Sequence, residues 1–118
     1  MDPAVTRAMM RVHREDFLSA DLKHLAGKDS PLPIGEDQTI SQTSLVALMT
    51  EELHLHSDSR VLEVGTGCGF QTAVLAEIAA KVYTIEVRPR LSQEAKSRLQ
   101  KLGYKNIEFK VGDGTLGW

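Results

Sequence analysis

The stretch "RVLEVGTGCGFQTAVLAEIAA", residues 60–80, limits the possible folds more than any other part of the chain. A short run rich in β-branched and apolar residues leads into three glycines at alternate positions, and an amphipathic run follows directly. This is the pattern of a buried strand, a tight turn and a helix. The texture then repeats. "KVYTIEV" reads as a second strand, and Pro89 opens a helix carrying Leu91, Ala95, Leu99 and Leu102 as a stripe, closed by Gly103. "NIEFKV" reads as a third strand and ends in "GDG". Strand, helix, strand, helix, strand at this spacing predicts parallel βαβαβ with right-handed crossovers.

The remainder of the chain reads as helical. Asp2 can cap a helix with Pro3 in its first position, and "REDFLSADLKHLAG" suggests one or two short helices ending at a left-handed Gly27. "SLVALMTEELHL" puts Leu45, Leu48, Met49 and Leu53 on one face, the face expected to be buried. Between them "PLPIGEDQTISQT", residues 31–43, reads as a loop. Its prolines oppose a core element, yet Leu32, Ile34 and Ile40 are too apolar for a plain linker. The expected organisation is one α/β domain over 1–118. Residues 1–59 form a helical part with the 31–43 loop, and 60–118 form a cofactor-binding βαβαβ half. Three parallel strands make only half of a doubly wound sheet. The first strand should therefore present an open edge that favours self-association, and the chain is expected to be a fragment of a longer one.

Composition enters through what it excludes. A net charge of −2 without long runs of one sign gives no footing for nucleic acid or an anionic membrane. No apolar run has membrane-spanning length, and the first residues lack a signal-peptide pattern. The single cysteine, Cys68, can form no internal disulfide, which accords with a cytoplasmic protein. His54 and His56 point to different faces of a helix end. His13 and His24 have no cluster of partners, so no metal site is expected.

The glycine turn points to a nucleotide-type cofactor, because glycines let a ligand approach the backbone and a helix N-terminus follows. The spacing is G-x-G-x-G at Gly65, Gly67 and Gly69, with Phe70 where the dinucleotide fingerprint has its last glycine. Glu63 precedes the turn and would repel a pyrophosphate, but it suits a ligand that carries an ammonium. Glu86 at the end of the second strand lies about 20 residues on, where a carboxylate accepts ribose hydroxyls. Asp113 after the third strand can accept from an adenine amino group. These three acids favour S-adenosylmethionine over a nicotinamide cofactor.

"PLPIGEDQTISQT", "VLEVGTGCGFQTAVLA", "VYTIEV" and "LGYKNIEFKVGDGTLGW", in that order, resemble protein-L-isoaspartate O-methyltransferases. The resemblance implies a Rossmann-like methyltransferase fold, of which this chain would be the N-terminal portion. It also implies transfer of a methyl group from S-adenosylmethionine, leaving S-adenosylhomocysteine, to the α-carboxyl of L-isoaspartyl residues in damaged proteins and peptides. Carried onto this sequence, it puts cofactor contacts at Glu63, Gly65, Thr66, Gly67, Cys68, Gly69, Glu86, Asp113 and Gly114. It puts the substrate carboxylate near Thr39, Ile40, Ser41 and Gln42, with Ser41 in the catalytic role. Read on its residue type alone, Ser41 serves equally as a cap for the helix beginning near Thr43, and Cys68 as a small packing residue. The alternative reading of the whole chain is a non-catalytic S-adenosylmethionine-binding half-domain that self-associates. The chain departs from the family at Gly27, where an aromatic residue is common, at Thr43, where proline is common, and at Cys68 and Phe70 in the glycine turn.

Overall fold

The structure is a computed structural model that describes residues 2–118. Helix α1 (Pro3–Arg11) starts as its sequence requires, with the Asp2 carboxylate accepting from the Ala4 N–H at 2.8 Å and proline in the first turn. Two 3-10 turns follow, at Arg14–Phe17 and Ala20–Leu25. The expected left-handed cap at Gly27 is not formed: positive φ falls on six other glycines and not there.

The segment expected to be a loop contains a β-hairpin. Strands β1 (Leu32–Gly35) and β2 (Gln38–Ile40) pair antiparallel, Leu32 opposite Ile40 and Pro33 opposite Thr39. The reversal is made by Glu36 and Asp37, both at positive φ (52° and 57°), the geometry of a two-residue hairpin turn that usually takes Asn-Gly. Proline is tolerated because a two-stranded ribbon is all edge. Leu32 and Ile40 are buried side by side, which explains why this segment carries apolar residues.

Helix α2 (Thr43–Glu52) leads to the parallel sheet of β3 (Arg60–Val64), β4 (Lys81–Glu86) and β5 (Ile107–Val111) in the order β3-β4-β5. Between the strands run α3 (Phe70–Ile78) and α4 (Pro89–Lys101), both against one face of the sheet, while α1 and α2 pack on α3. Leu91, Ala95 and Leu99 of the α4 stripe are buried as expected, whereas Leu102 is exposed. Gly103, at φ 95°, closes α4 with Tyr104 N–H donating to the Leu99 carbonyl.

The expected burial of α2 is reversed. Val46, Ala47 and Thr50 face inward, while Leu45, Leu48, Met49 and Leu53 are about half exposed. The Thr50 hydroxyl donates to the Val46 carbonyl and accepts from Gln71 of α3, which fixes the helix's rotation. Leu62 and Val64 on the uncovered sheet face are likewise exposed. Two apolar surfaces, one on α2 and one on β3, are thus left largely exposed, with Gly114 lying close to Val64. No helix among those residues is long and apolar enough to cross a membrane.

Candidate functional site

The glycine turn leaves β3 at the C-terminal edge of the sheet, where α/β proteins place their ligands. Gly65 and Thr66 donate backbone N–H groups to the Ile85 carbonyl at 2.7 and 3.3 Å, so the turn is anchored to the end of β4. Gly67 adopts φ 56° and Gly69 φ 95°, left-handed values that an L side chain adopts only with strain. At Gly69 a β-carbon would also press on Leu99 and Ala95 of α4, so this glycine permits close helix packing. Gly65 is exposed, with open space where a side chain would project, and the backbone there is free for a ligand to approach.

Of the three strand-end acids, Glu86 is the most engaged with the turn. Its Oε1 accepts from Gly67 N–H at 2.8 Å and its Oε2 from Arg88 N–H at 3.0 Å. Asp113 lies beyond β5 at the same edge, joined to β4 through Gly112 N–H, which donates to the Glu86 carbonyl. Its carboxylate is exposed and accepts from the N–H and the hydroxyl of Thr115, which hold it below the usual carboxylate range. Next to it, a side chain on Gly114 would overlap Val64.

Glu63 lies on the other side of the turn, toward the helices. Its Oε1 accepts from Thr72 of α3 at 2.5 Å and from Thr84 of β4 at 2.7 Å. The hydroxyls of Thr66 and Thr84 are 2.5 Å apart. Because the Thr84 proton is committed to Glu63, Thr66 must be the donor in that pair. The resulting chain, Thr66 to Thr84 to Glu63 with Thr72 as a second donor, ties the glycine turn, β4 and α3 to one carboxyl group. Burial raises that carboxyl to about 7, the two threonine bonds oppose the rise, and the charge of Glu86 adds to it. Sequence reasoning missed Thr72 and Thr84. The available signal was that both are hydroxyl residues in otherwise apolar runs, and both are fully buried.

The hairpin comes to the same turn. The Ile34 side chain lies 3.5 Å from where a β-carbon on Gly67 would sit. A cleft of about 420 Å³ runs between them, its wall including Pro33, Gly67, Cys68 and Arg98. Arg98 donates to the Cys68 carbonyl at 2.8 Å, and Cys68 itself is buried, with burial pushing its thiol up. Cys68 therefore packs, and no histidine hydrogen-bonds to it among the described residues.

Thr39 and Ser41 are exposed at the hairpin's end, Gln42 is half-buried, and the Ile40 side chain belongs to the core. The capping role open to Ser41 is filled otherwise. Gln42 holds the cap position of α2 without accepting from a helix N–H, its side chain instead donating to the Ser44 hydroxyl at 3.2 Å, and Ser44 N–H is satisfied by the Asp29 carboxylate at 2.9 Å. The Ser41 hydroxyl has no hydrogen-bond partner among the described residues. His54 and His56 border a separate surface hollow beside α1, and no three potential metal-ligating side chains gather among the described residues.

A family model described as protein-L-isoaspartate(D-aspartate) O-methyltransferase matches residues 1–118. The chain is 55% identical over 117 residues to a protein-L-isoaspartate O-methyltransferase of Picosynechococcus, covering 99% of this chain and 53% of that one. It is 56% identical over 114 residues to a counterpart in Dictyoglomus turgidum, covering 97% of this chain and 52% of that one. The chain thus spans about half the length of the curated relatives it matches. A solved structure of a protein-L-isoaspartate O-methyltransferase superposes with a TM-score of 0.85 at 32% identity, over 96% of this chain and 38% of that one. A second, from Plasmodium falciparum and in complex with S-adenosyl-L-homocysteine, superposes at 0.75 with 23% identity, over 94% of this chain and 55% of that one.

Proposed function

Because the chain belongs to the protein-L-isoaspartate(D-aspartate) O-methyltransferase family, we propose that it carries the cofactor turn and the substrate hairpin of a cytoplasmic protein-repair enzyme. In this reading the methyl group of S-adenosylmethionine passes to the α-carboxyl of L-isoaspartyl residues in damaged proteins and peptides. The observation that carries the reading is the seating of the hairpin on the glycine turn, Ile34 against Gly67, with the exposed Ser41 at the hairpin's foot and its hydroxyl uncommitted among the described residues.

The donor set fits the cofactor. Gly65 offers open backbone and Asp113 offers an exposed acceptor to adenine. The carboxylates of the buried Glu86 and the half-buried Glu63, which already accept from Gly67, Arg88, Thr72 and Thr84, keep further lone pairs for ribose hydroxyls and an ammonium. When bound, the cofactor supplies an electrophilic methyl group on a sulfonium. The chain's own residues orient and exclude water. A substrate carboxyl with pKa of roughly 4 is ionised at neutral pH and needs no general base. Thr39, Ser41 and the backbone around Ile40 and Gln42 hold it. Pro33 and Ile34 keep the approach dry, which matters because opposite charges cancel as the methyl moves and water stabilises the separated ions more. Alignment by such contacts is worth up to roughly 7–11 kcal/mol of barrier.

The test is methyl transfer from labelled S-adenosylmethionine to a matched pair of peptides, isoaspartyl and aspartyl. Labelling of the isoaspartyl peptide alone is expected. The assay is run on the 118-residue chain and on a chain lengthened to match its relatives. Failure of both to label would overturn the reading. The exposed β3 edge with Leu62 and Val64, and the bare apolar face of α2, favour a second reading for the isolated chain. In it the chain is an S-adenosylmethionine-binding half-domain that pairs with a second copy.

A further inference from the structure

Arg14 is among the most buried charged residues of the protein, 5% exposed, and among the described residues it forms no ion pair with a carboxylate. Its partners are backbone carbonyls. Nη1 donates to Ala26 at 3.3 Å and Lys28 at 2.8 Å, and Nη2 donates to Ser30 at 2.5 Å and Ser41 at 3.0 Å. Nε is buried without a partner. Ser30 and Ser41 flank the hairpin, one just before Pro31 and the other just after β2. A single guanidinium therefore holds both feet of the hairpin together. The nearest acid, Asp29, spends its carboxylate on the Ser44 N–H at the start of α2.

This is an expensive arrangement if packing were its only purpose. Burial lowers the Arg14 pKa, the direction expected when a cation is removed from water. An apolar residue would fill the same space without that cost, but it could not bridge four carbonyls. Nor could lysine, whose donors all sit on one nitrogen. The same 3-10 turn that carries Arg14 carries Phe17, which packs on Phe70 at a centroid distance of 5.6 Å, directly behind the glycine turn. The hairpin's feet and the cofactor turn are thus referred to one short rigid segment.

We propose that Arg14 is a positioning residue for carboxylate capture: it fixes the Thr39–Gln42 segment in register with the glycine turn and sets a buried positive charge beside Ser41. The substrate part of this inference rests on the function proposed above. The positioning part does not. A cation next to the Ser41 carbonyl, with its charge only partly answered by Asp29, favours an anion at the neighbouring hydroxyl and N–H groups. The neutral amide of the same peptide gains nothing comparable.

The test compares wild type with Arg14→Met and Arg14→Lys in the 118-residue chain and in the lengthened chain. Amide hydrogen exchange is measured across the molecule. In Arg14→Met the hairpin amides are expected to exchange at least tenfold faster, while those of α3 and β4 stay within twofold; Arg14→Lys falls between. Affinity is measured, with S-adenosylhomocysteine present, for an isoaspartyl peptide and for the same peptide with that α-carboxyl amidated. The preference for the free carboxylate should fall at least fivefold in Arg14→Met, with partial rescue in Arg14→Lys, and S-adenosylhomocysteine affinity should change less than twofold. Unchanged hairpin exchange, or equal acceleration in every element, would show Arg14 to be an ordinary core residue and overturn the proposal. A wild-type chain that binds S-adenosylhomocysteine but does not distinguish the two peptides would sink the functional reading. In that event the exchange data decide the positioning role alone.

Discussion

Glu63 is the residue at which electrostatics and folding are most directly coupled. Its carboxyl titrates near 7 in the folded protein and near 4.5 in the unfolded chain. Between those values the folded state holds a proton that the unfolded state has released. Stability is thus fullest below about pH 4.5 and declines as pH rises toward 7. Glu63→Gln should remove this decline, making the variant gain roughly 1–3 kcal/mol on wild type between pH 5 and pH 8, measured by urea unfolding at each pH. Equal pH slopes in the two proteins would show that the carboxyl is solvated. Where Glu63 meets a bound ammonium, S-adenosylhomocysteine affinity should rise through the same window and be flat in the variant. Ser41 makes the opposite kind of prediction. Its hydroxyl has no hydrogen-bond partner among the described residues, so Ser41→Ala should shift stability by no more than about 0.5 kcal/mol. In the lengthened chain the same change should lower turnover while leaving S-adenosylhomocysteine affinity within twofold. Parallel loss of both would assign Ser41 to the cofactor site instead.

The elements divide by how local their causes are. The strands β3, β4 and β5, and the helices between them, follow from short runs of residues and are legible in the sequence alone. The glycine turn carries its own geometry. The hairpin is not legible there, because Pro33 argues against a strand and Glu36-Asp37 is not a customary hairpin turn. Its cause is tertiary: Leu32 and Ile40 find a common core, and Arg14 closes the base. The start of α2 near Thr43 is legible, but the group that satisfies its first turn is not, since the Asp29 carboxylate reaches Ser44 N–H from 15 residues away. Both turn residues sit at positive φ against their preference. Replacing Glu36-Asp37 with Asn-Gly should therefore stabilise the chain by roughly 0.5–1 kcal/mol. Thermal unfolding checks the stability, and hairpin amide exchange checks that the gain is local; loss of stability would mean that the turn is held by contacts of its own.

At the scale of the whole molecule, periodicity reports which side of a helix is apolar and leaves open what stands against it. The α2 stripe is expected in the core and lies outside, because Val46, Ala47 and Thr50 meet α1 and α3 instead. With Leu62 and Val64 also exposed, the 118-residue chain should associate at micromolar concentrations. Replacing Leu48 and Leu62 with lysine should return it to a monomer in sedimentation velocity with little change in unfolding midpoint. A wild-type monomer at all concentrations would show that these faces tolerate water. The open sheet face also carries Trp118, the chain's one tryptophan, edge-on to Tyr83 at 5.2 Å and half exposed. An indole in that position is an intrinsic optical gauge. Its emission moves to shorter wavelength when the sheet face is covered, whether by a second copy or by further strands, and it stays put when ligand binds only at the glycine turn.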